Sequence, residues 1–372
     1  MTRPSVAEID LSAVRHNAAG LRAVSGPARL CAVVKADGYG HGSVPVARAA
    51  IDGGADQLAV ALVEEALVLR DAGVDAPVLV LSEQPADALA AAARTGLTPT
   101  VYTPEGIDAA AAAANDAGLD EPWAVHLKVD TGMHRVGCDP TDAVELARRV
   151  LDAGLVLGGT FTHLAVADEP ERPETDLQLD RFDAVLAALE AAGIDPGVRH
   201  AANSAGLLAH PRSHLDLVRA GIALYGLAPR PGLAGDLDLQ PAMSVRSEVT
   251  LVKPVAAGEG VSYGLRHVFE RDAVVATVPL GYADGVTRSL GLAGGCVLIG
   301  GVRRPIRGVV TMDQLVVEVT DGPAVRAGDE VVLLGRQGDD EVTADEWAGR
   351  TGTISYEVVC GFGPRLARVH RG

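Results

Sequence analysis

Lysine is almost missing from this sequence: of 32 basic residues only Lys35, Lys128 and Lys253 are lysines, and arginine supplies the rest. Arginine cannot give up its proton, whereas a desolvated lysine can, and only a neutral amine attacks a carbonyl. Aromatics are also scarce, at 3% against 48% hydrophobic residues. That excludes a core built on rings and leaves Val, Leu, Ala and Ile, the composition of parallel strands covered by alanine-rich helices. Cys31, Cys138, Cys296 and Cys360 stand far apart and form neither a metal-ligand pattern nor a dense disulfide framework. Positive charge is short as well. A formal net charge of -17 argues against non-specific binding to nucleic acid or attraction to an anionic membrane, so an anionic ligand needs a locally built site. No apolar run approaches the length of a membrane span, and the start, Met1-Thr2-Arg3-Pro4-Ser5, lacks the apolar core of a signal peptide. A soluble cytoplasmic protein with no metal, nucleic-acid or membrane partner is expected.

What is present begins with Cys31-Ala32-Val33-Val34-Lys35-Ala36-Asp37-Gly38-Tyr39-Gly40-His41-Gly42. Four apolar residues ahead of alternating glycines read as a buried strand ending in a tight loop, which leaves Lys35 at the strand's carboxyl end. Lys35 is the candidate nucleophile. The competing reading is that lysine scarcity reflects a GC-rich genome and that Lys35 merely snorkels out of a strand end. From residue 10 onward, strands near 31–34, 57–61, 77–81, 98–102, 123–129, 155–162, 198–202 and 215–218 alternate with helical patterns. Strand–helix alternation with short loops means parallel strands joined by crossover helices, and eight of them favour a closed (β/α)8 TIM-type barrel over an open doubly wound sheet. Past the Pro- and Gly-rich linker 228–236 the pattern changes to short β-branched runs at 245–252, 273–278, 295–299, 305–310, 315–319 and 330–334. The expected division is a barrel over 10–235 and a C-terminal all-β domain over 236–372, joined by an N-terminal strand within 1–9.

Barrel enzymes keep their chemistry at the carboxyl ends of the strands. Collected there are Lys35 and Tyr39 after the first strand, and Lys128, Asp130 and Arg135 after the fifth. His163 comes after the sixth, Asn203-Ser204 after the seventh, and Arg219-Ala220-Gly221-Ile222 after the eighth. The last two loops are the usual phosphate site of a barrel, where Ser204 and the amides of Gly221 and Ile222 offer uncharged donors. An amine facing a phosphate cradle suggests pyridoxal phosphate. His41, between glycines, reads as a turn residue, Cys31 and Cys360 as buried small hydrophobes, and Lys253 as a surface residue.

The stretch 34–42 resembles the cofactor-attachment motif of alanine racemases. So do Leu127 to Arg135, Thr162-His163, Asn203-Ser204, Arg219 to Gly226, Ser262-Tyr263-Gly264, Gly281 to Gly285 and Met312-Asp313-Gln314, in the family's order and over nearly the whole chain. The resemblance implies a homodimer with shared active sites that interconverts L- and D-alanine on pyridoxal 5'-phosphate, supplying D-alanine for peptidoglycan. Lys35 would hold the cofactor and act as base on one face of the α-carbon, with Tyr263 of a second copy on the other. An ordinary tyrosine, with a pKa of about 10, needs help to act as a base at neutral pH. Arg219 would face the pyridine nitrogen, oriented by His163, and an arginine there mutes the electron sink and disfavours transamination. Tyr39, Asn203, Ser204, Gly221, Ile222 and Tyr356 would hold the rest of the cofactor, with Ser204, Tyr39 and Tyr356 among the phosphate ligands. Arg135, Met312 and Asp313 would receive the substrate carboxylate. Lys128 would be carbamylated to brace Arg135, and Asp168, Tyr282, Arg288 and Arg307 would line the entrance. The alternatives are a racemase of broader substrate range and a non-catalytic pyridoxal phosphate carrier.

Overall fold

The computed structural model describes residues 3–372, so residues 1 and 2 of the expected N-terminal strand lie outside the described residues. The described residues form two compact units: residues 12–38 with 43–240, and residues 3–11 with 39–42 and 241–372. Strand β1 (Val6–Asp10) belongs to the second unit, and eight further strands build the first. They are β2 (Arg29–Val33), β3 (Gln57–Val60), β4 (Val78–Val80), β5 (Thr100–Val101), β6 (Ala124–Lys128), β7 (Val156–Phe161), β8 (Val198–His200) and β9 (Leu217–Ala220).

Parallel ladders run in the orders β4-β3-β2-β9 and β5-β6-β7-β8. A parallel bridge from Leu79 to Thr98 joins β4 to β5. The Arg219 amide reaches the Ala202 carbonyl at 3.1 Å and the Asp216 amide the Arg199 carbonyl at 3.0 Å, joining β8 to β9. The sheet therefore closes on itself, and the expected (β/α)8 barrel is present. Strands such as β4, all three of whose residues are buried, are apolar on both faces, because helices cover the outside and side-chain layers fill the inside. The covering helices are one-sided: Ala143–Asp152 buries Ala143, Leu146, Ala147 and Val150, the i, i+3, i+4, i+7 stripe.

In the second unit β1 lies between strand Met243–Glu248, antiparallel, and strand Ala367–Arg371, parallel. The same sheet continues through Glu330–Gln337, Cys296–Ile299 and Val302–Pro305. A separate three-stranded sheet holds Leu251–Val255, Ala273–Val278 and Leu315–Glu318. Three details differ from the sequence reading. The run 245–252 breaks after Glu248 and feeds two different sheets. The strand expected over 305–310 ends at Pro305, where its partner strand also begins, at Cys296. Two helices, Ala344–Thr351 and Ser355–Cys360, interrupt the β pattern. The Thr343 hydroxyl starts the first of them by accepting from the Glu346 amide at 3.0 Å. Cys360 ends the second and is exposed rather than buried. Among the described residues no helix is long and apolar enough to cross a membrane.

Candidate active site

The loop after β2 is not irregular. From Lys35 the chain makes one left-handed turn, with Ala36 at φ 52° and ψ 50°, Asp37 at φ 52° and ψ 48°, and Gly38 at φ 61° and ψ 47°. Tyr39 comes next at φ 52°. Left-handed backbone costs a non-glycine residue about 1–2 kcal/mol, so a run of such residues persists only where neighbouring groups hold them. Gly38 N–H donates to the Val34 carbonyl at 2.9 Å, the Ser43 amide donates to Asp37 Oδ1 at 2.9 Å, and Ala36 N–H donates to Glu65 Oε1 at 2.6 Å. Lys35, half-buried, opens this turn at the mouth of the barrel.

On the far ladder, β6 carries His126 and Lys128 on one face, two residues apart. Lys128 is buried at 5% exposure, with Nζ donating to the Leu81 carbonyl at 3.3 Å and lying 5.2 Å from the centre of the Phe161 ring. Burial pulls its ammonium down to about 7, helped by Arg219, Arg135 and Lys35 and opposed by Asp130. A narrow recess lined by Lys128, Asp130, Met133, Arg135, Thr162 and His163 lies beside it. Asp130 Oδ1 shapes that loop by accepting from the amides of Gly132, Met133 and His134, each at 3.0 Å. Arg135 itself is exposed.

Arg219, on β9, is buried without a carboxylate against it: its hydrogen bonds run to His200 Nδ1 at 2.8 Å, His163 Nδ1 at 3.2 Å, and the carbonyls of Thr162 at 2.8 Å and Ala201 at 3.0 Å. Burial lowers its pKa to about 10, which still leaves the guanidinium charged at neutral pH. A guanidinium only donates, so both imidazoles accept at Nδ1 and carry their proton at Nε2. His200 Nε2 therefore donates to His126 Nδ1, 2.9 Å away. Burial, with Arg219 adding repulsion, holds His163 and His200 far below the usual imidazole range and His126 at about 3. All three stay neutral. Ser204 begins helix Ser204–Ala209 behind the cap residue Asn203, whose Oδ1 accepts from the Gly206 amide at 2.9 Å. Ser204 Oγ accepts from the Gly221 amide at 2.8 Å and the Ala223 amide at 3.4 Å. The Gly221 amide, expected as a direct phosphate donor, is thus spent on Ser204, and the hydroxyl proton of Ser204 is the donor this arrangement offers.

The second unit holds the remaining candidates. Tyr39 lies 6.3 Å, ring centre to ring centre, from Tyr356, and burial, then Tyr356 and Cys360, push its phenol up. Tyr263 is 72% exposed on the short turn Tyr263–Leu265, which is held by Ser262 Oγ donating to the Val309 carbonyl at 2.6 Å. Met312 is also exposed. Asp313 Oδ1 accepts from Arg365 at 2.7 Å, and Arg365 Nε sits 3.3 Å from the buried Asp284. Burial pushes Asp284 up, but hydrogen bonds from Arg3 and the Gly281 amide outweigh it and hold the group below the usual carboxylate range. Arg307 pairs with Glu318 at 2.7 Å. The Tyr282 and Ala283 amides donate to the carbonyls of Thr311 at 2.9 Å and Met312 at 3.0 Å, locking the Tyr282 turn to the Met312 loop. Gly281 makes that approach possible, since a Cβ there would overlap both carbonyl oxygens. Gly281→Ala is expected to cost about 1–3 kcal/mol of stability, which a thermal melt checks.

Lys35, Lys128, Arg135, His163, Asn203, Ser204, Arg219, Gly221 and Ile222 all fall at strand ends on one mouth of the barrel, with Asp168 on the loop after β7. Tyr39, Tyr263, Tyr282, Arg288, Arg307, Met312, Asp313 and Tyr356 fall in the other unit. Sequence reasoning missed His126, His200, Glu65 and Gln178. Gln178 is a buried hub: Nε2 donates to Thr131 Oγ1 at 3.3 Å and the His163 carbonyl at 3.0 Å, while Oε1 accepts from the Ala165 amide at 2.9 Å. Only His126 left a signal, as a polar residue sharing a strand face with Lys128.

Against known proteins, residues 9–229 match the model of the alanine racemase N-terminal domain and residues 242–370 that of the alanine racemase C-terminal domain. An alanine racemase from Symbiobacterium thermophilum is 50% identical over 372 residues, covering 100% of this chain and 98% of that one. Among solved structures, alanine racemase from D-cycloserine-producing Streptomyces lavendulae superposes with a TM-score of 0.93 at 42% identity, over 100% of this chain and 98% of that chain. Alanine racemase from Bacillus anthracis, solved with bound L-Ala-P, gives 0.91 at 37% identity, over 100% and 96%. With both domain models matched in order and identity at this level along the full length, the chain belongs to the alanine racemase family.

Proposed function

We propose that this protein interconverts L- and D-alanine on pyridoxal 5'-phosphate as a cytoplasmic homodimer, and so supplies D-alanine for peptidoglycan. The observation that carries the reading is the pairing of an amine and a buried, carboxylate-free guanidinium at one barrel mouth: Lys35 opening the turn after β2, and Arg219 on β9 among neutral histidines. The donor set suits the cofactor at each end. Lys35 offers the amine for covalent attachment, Arg219 a permanent donor for the pyridine nitrogen, and Ser204, its Oγ held by the Gly221 amide, a hydroxyl for the phosphate, with Tyr39, Asn203, Ile222 and Tyr356 completing the cradle. When bound, pyridoxal phosphate takes up the electron pair left as the α-proton departs.

The protein's own residues do the rest. Arg135, with Met312 and Asp313 of the second copy, binds the substrate carboxylate, where a planar fork matches two oxygens. Lys35 Nζ takes or returns the α-proton on one face, and the Tyr263 hydroxyl of the second copy does so on the other. Tyr263, Leu265 and Met312 are 72%, 60% and 52% exposed in one chain, which supports a surface completed by another copy. Arg219 keeps its protons at neutral pH, so it would give the pyridine nitrogen a hydrogen bond without passing it a proton, which would favour proton exchange over transamination. Asp168, Tyr282, Arg288 and Arg307 line the way in, a mixed-charge passage suited to a zwitterion.

The test is to incubate the protein and pyridoxal phosphate with L-alanine in heavy water and to follow chirality and α-deuterium together. D-Alanine carrying deuterium supports a racemase, and repeating the assay with serine and longer amino acids sets its breadth. Exchange with retained L-configuration removes Tyr263 from the scheme. Bound cofactor with no exchange leaves a carrier.

Lys128 is read as the site of a carbamate that braces Arg135. Its neutral Nζ bonds to the carbon of CO2 and loses one proton to water, turning a repelling ammonium into an anion beside the arginine. Only the neutral amine reacts, so modification is expected to rise as pH passes upward through about 7. Native mass spectrometry should show one added CO2, lost on acidification; an unmodified chain under CO2 at alkaline pH overturns the assignment. In unmodified protein the folded chain releases this proton at about 7 and the unfolded chain near the ordinary 10.5. Stability of that form therefore rises with pH across the interval, since the unfolded state binds the extra proton there.

A further inference from the structure

Strands β2 and β3 pair in parallel through Val33 and Ala59, and the pairing continues with the Val34 amide donating to the Ala59 carbonyl at 2.8 Å. Beyond it the chain enters the left-handed turn and the ladder stops. A side chain then bridges the two segments. Glu65 Oε1 accepts from the Ala36 amide at 2.6 Å, and Glu65 Oε2 accepts from the amides of Ala61 at 2.8 Å and Leu62 at 3.2 Å. The turns after the two strands thus face each other with donors on both sides. Two N–H groups cannot bond directly, and a carboxylate, which accepts at both oxygens, joins them.

The Ala36 amide belongs to the peptide plane that contains the Lys35 carbonyl. Because that plane is rigid, holding its N–H fixes the ψ angle of Lys35 and with it the direction in which the Lys35 side chain leaves the backbone. Asp37, by accepting from Ser43, holds the far side of the same turn. We propose that Glu65 is a positioning residue for Lys35: it touches neither substrate nor cofactor and acts by clamping the peptide plane on the carboxyl side of the reactive residue. The inference rests on the reading of Lys35 as the cofactor-bearing amine.

Glutamine is not a conservative replacement here. Its single oxygen serves one side of the bridge, and its NH2 group meets an N–H on the other. The experiment uses the full-length dimer carrying Glu65→Gln or Glu65→Ala, with thermal melts to establish folding. Pyridoxal phosphate is trapped with borohydride and its distribution over the three lysines is read by peptide mass spectrometry, with a small amine-acylating reagent as a second probe. Exposed Lys253 is the internal reference. Both folded variants are expected to label Lys35 about tenfold more slowly relative to Lys253, and to lose roughly 10²-fold in kcat with KM little changed, the scale of a misplaced reacting group. A purely structural role would lower the melting temperature and leave the labelling ratio alone. Wild-type labelling ratio and kcat in folded Glu65→Gln overturn the proposal. Failure of the wild-type protein to racemise alanine would instead defeat the functional reading, and the acylation ratio would still report on the clamp.

Discussion

Lys35→Ala is expected to stop racemisation, lowering the rate from L- to D-alanine by at least about 10⁴-fold, because one substitution removes both the attachment point and a base. No other amine is placed to take over. Lys253 is exposed on a strand of the second unit, and Lys128, buried against the Leu81 carbonyl and the Phe161 ring, is the residue read as a carbamate and in that form has no free amine. The informative companion is Lys35→Arg, which keeps the charge, the length and the ability to snorkel but cannot lose a proton. If Lys35 only carried charge out of a strand end, arginine would be silent. The functional reading instead expects Lys35→Arg to be as inactive as alanine, with borohydride-trapped cofactor gone from the peptide that spans 29–48. Chiral analysis of alanine together with that peptide's mass decides it, and retained turnover in Lys35→Arg overturns the assignment.

Tyr263→Phe should separate the two faces of the reaction. Racemisation falls by about 10²–10⁴-fold, the usual contribution of a positioned acid or base. Exchange of the α-proton for deuterium persists for one enantiomer, since Lys35 still serves its own face. Such asymmetry is what a structural defect would not produce. The hydroxyl being removed belongs to a side chain 72% exposed in one chain, and surface changes of this kind usually shift stability by within about 0.5 kcal/mol. The melting temperature should therefore hold while activity collapses. If Tyr263 acts from a second copy, mixing Lys35→Ala with Tyr263→Phe protein restores activity, because a mixed dimer contains one intact site. Symmetric loss of exchange removes Tyr263 from the second face, and no complementation after subunit exchange removes the second copy as its source.

How far the sequence reaches differs between the units. In the barrel, strand–helix alternation located all eight strands, since most strand residues are buried and helices such as Ala143–Asp152 carry an apolar stripe. In the second unit the β-branched runs marked strands but not partners. Nothing local in Val6–Asp10 says that it pairs with Met243–Glu248 on one side and Ala367–Arg371 on the other, because antiparallel and parallel neighbours ask for the same residue types. The two C-terminal helices and the exposed Cys360 were hidden for a related reason: Ser355–Cys360 is too short to show helical periodicity. Among the candidate site residues, scarcity was the signal. Lys35 and Lys128 stood out among arginines, and four of six tyrosines, Tyr39, Tyr263, Tyr282 and Tyr356, are candidates for the site.

The sequence by itself determined the barrel, the address of Lys35 and the family, because burial patterns and motifs are properties of short stretches. Only the tertiary structure decided how those residues are held. The Arg219–His200–His126 chain, the Gln178 hub and the Glu65 bridge join residues up to 74 positions apart, although the Gln178 bonds to His163 and Ala165 and the Glu65 bonds to Ala61 and Leu62 are more local. Their hydrogen bonds depend on where barrel closure brings strand ends together, and a side chain such as Glu65, in the first turn of the short helix Val63–Asp71, carries no local mark of the strained turn it has to hold.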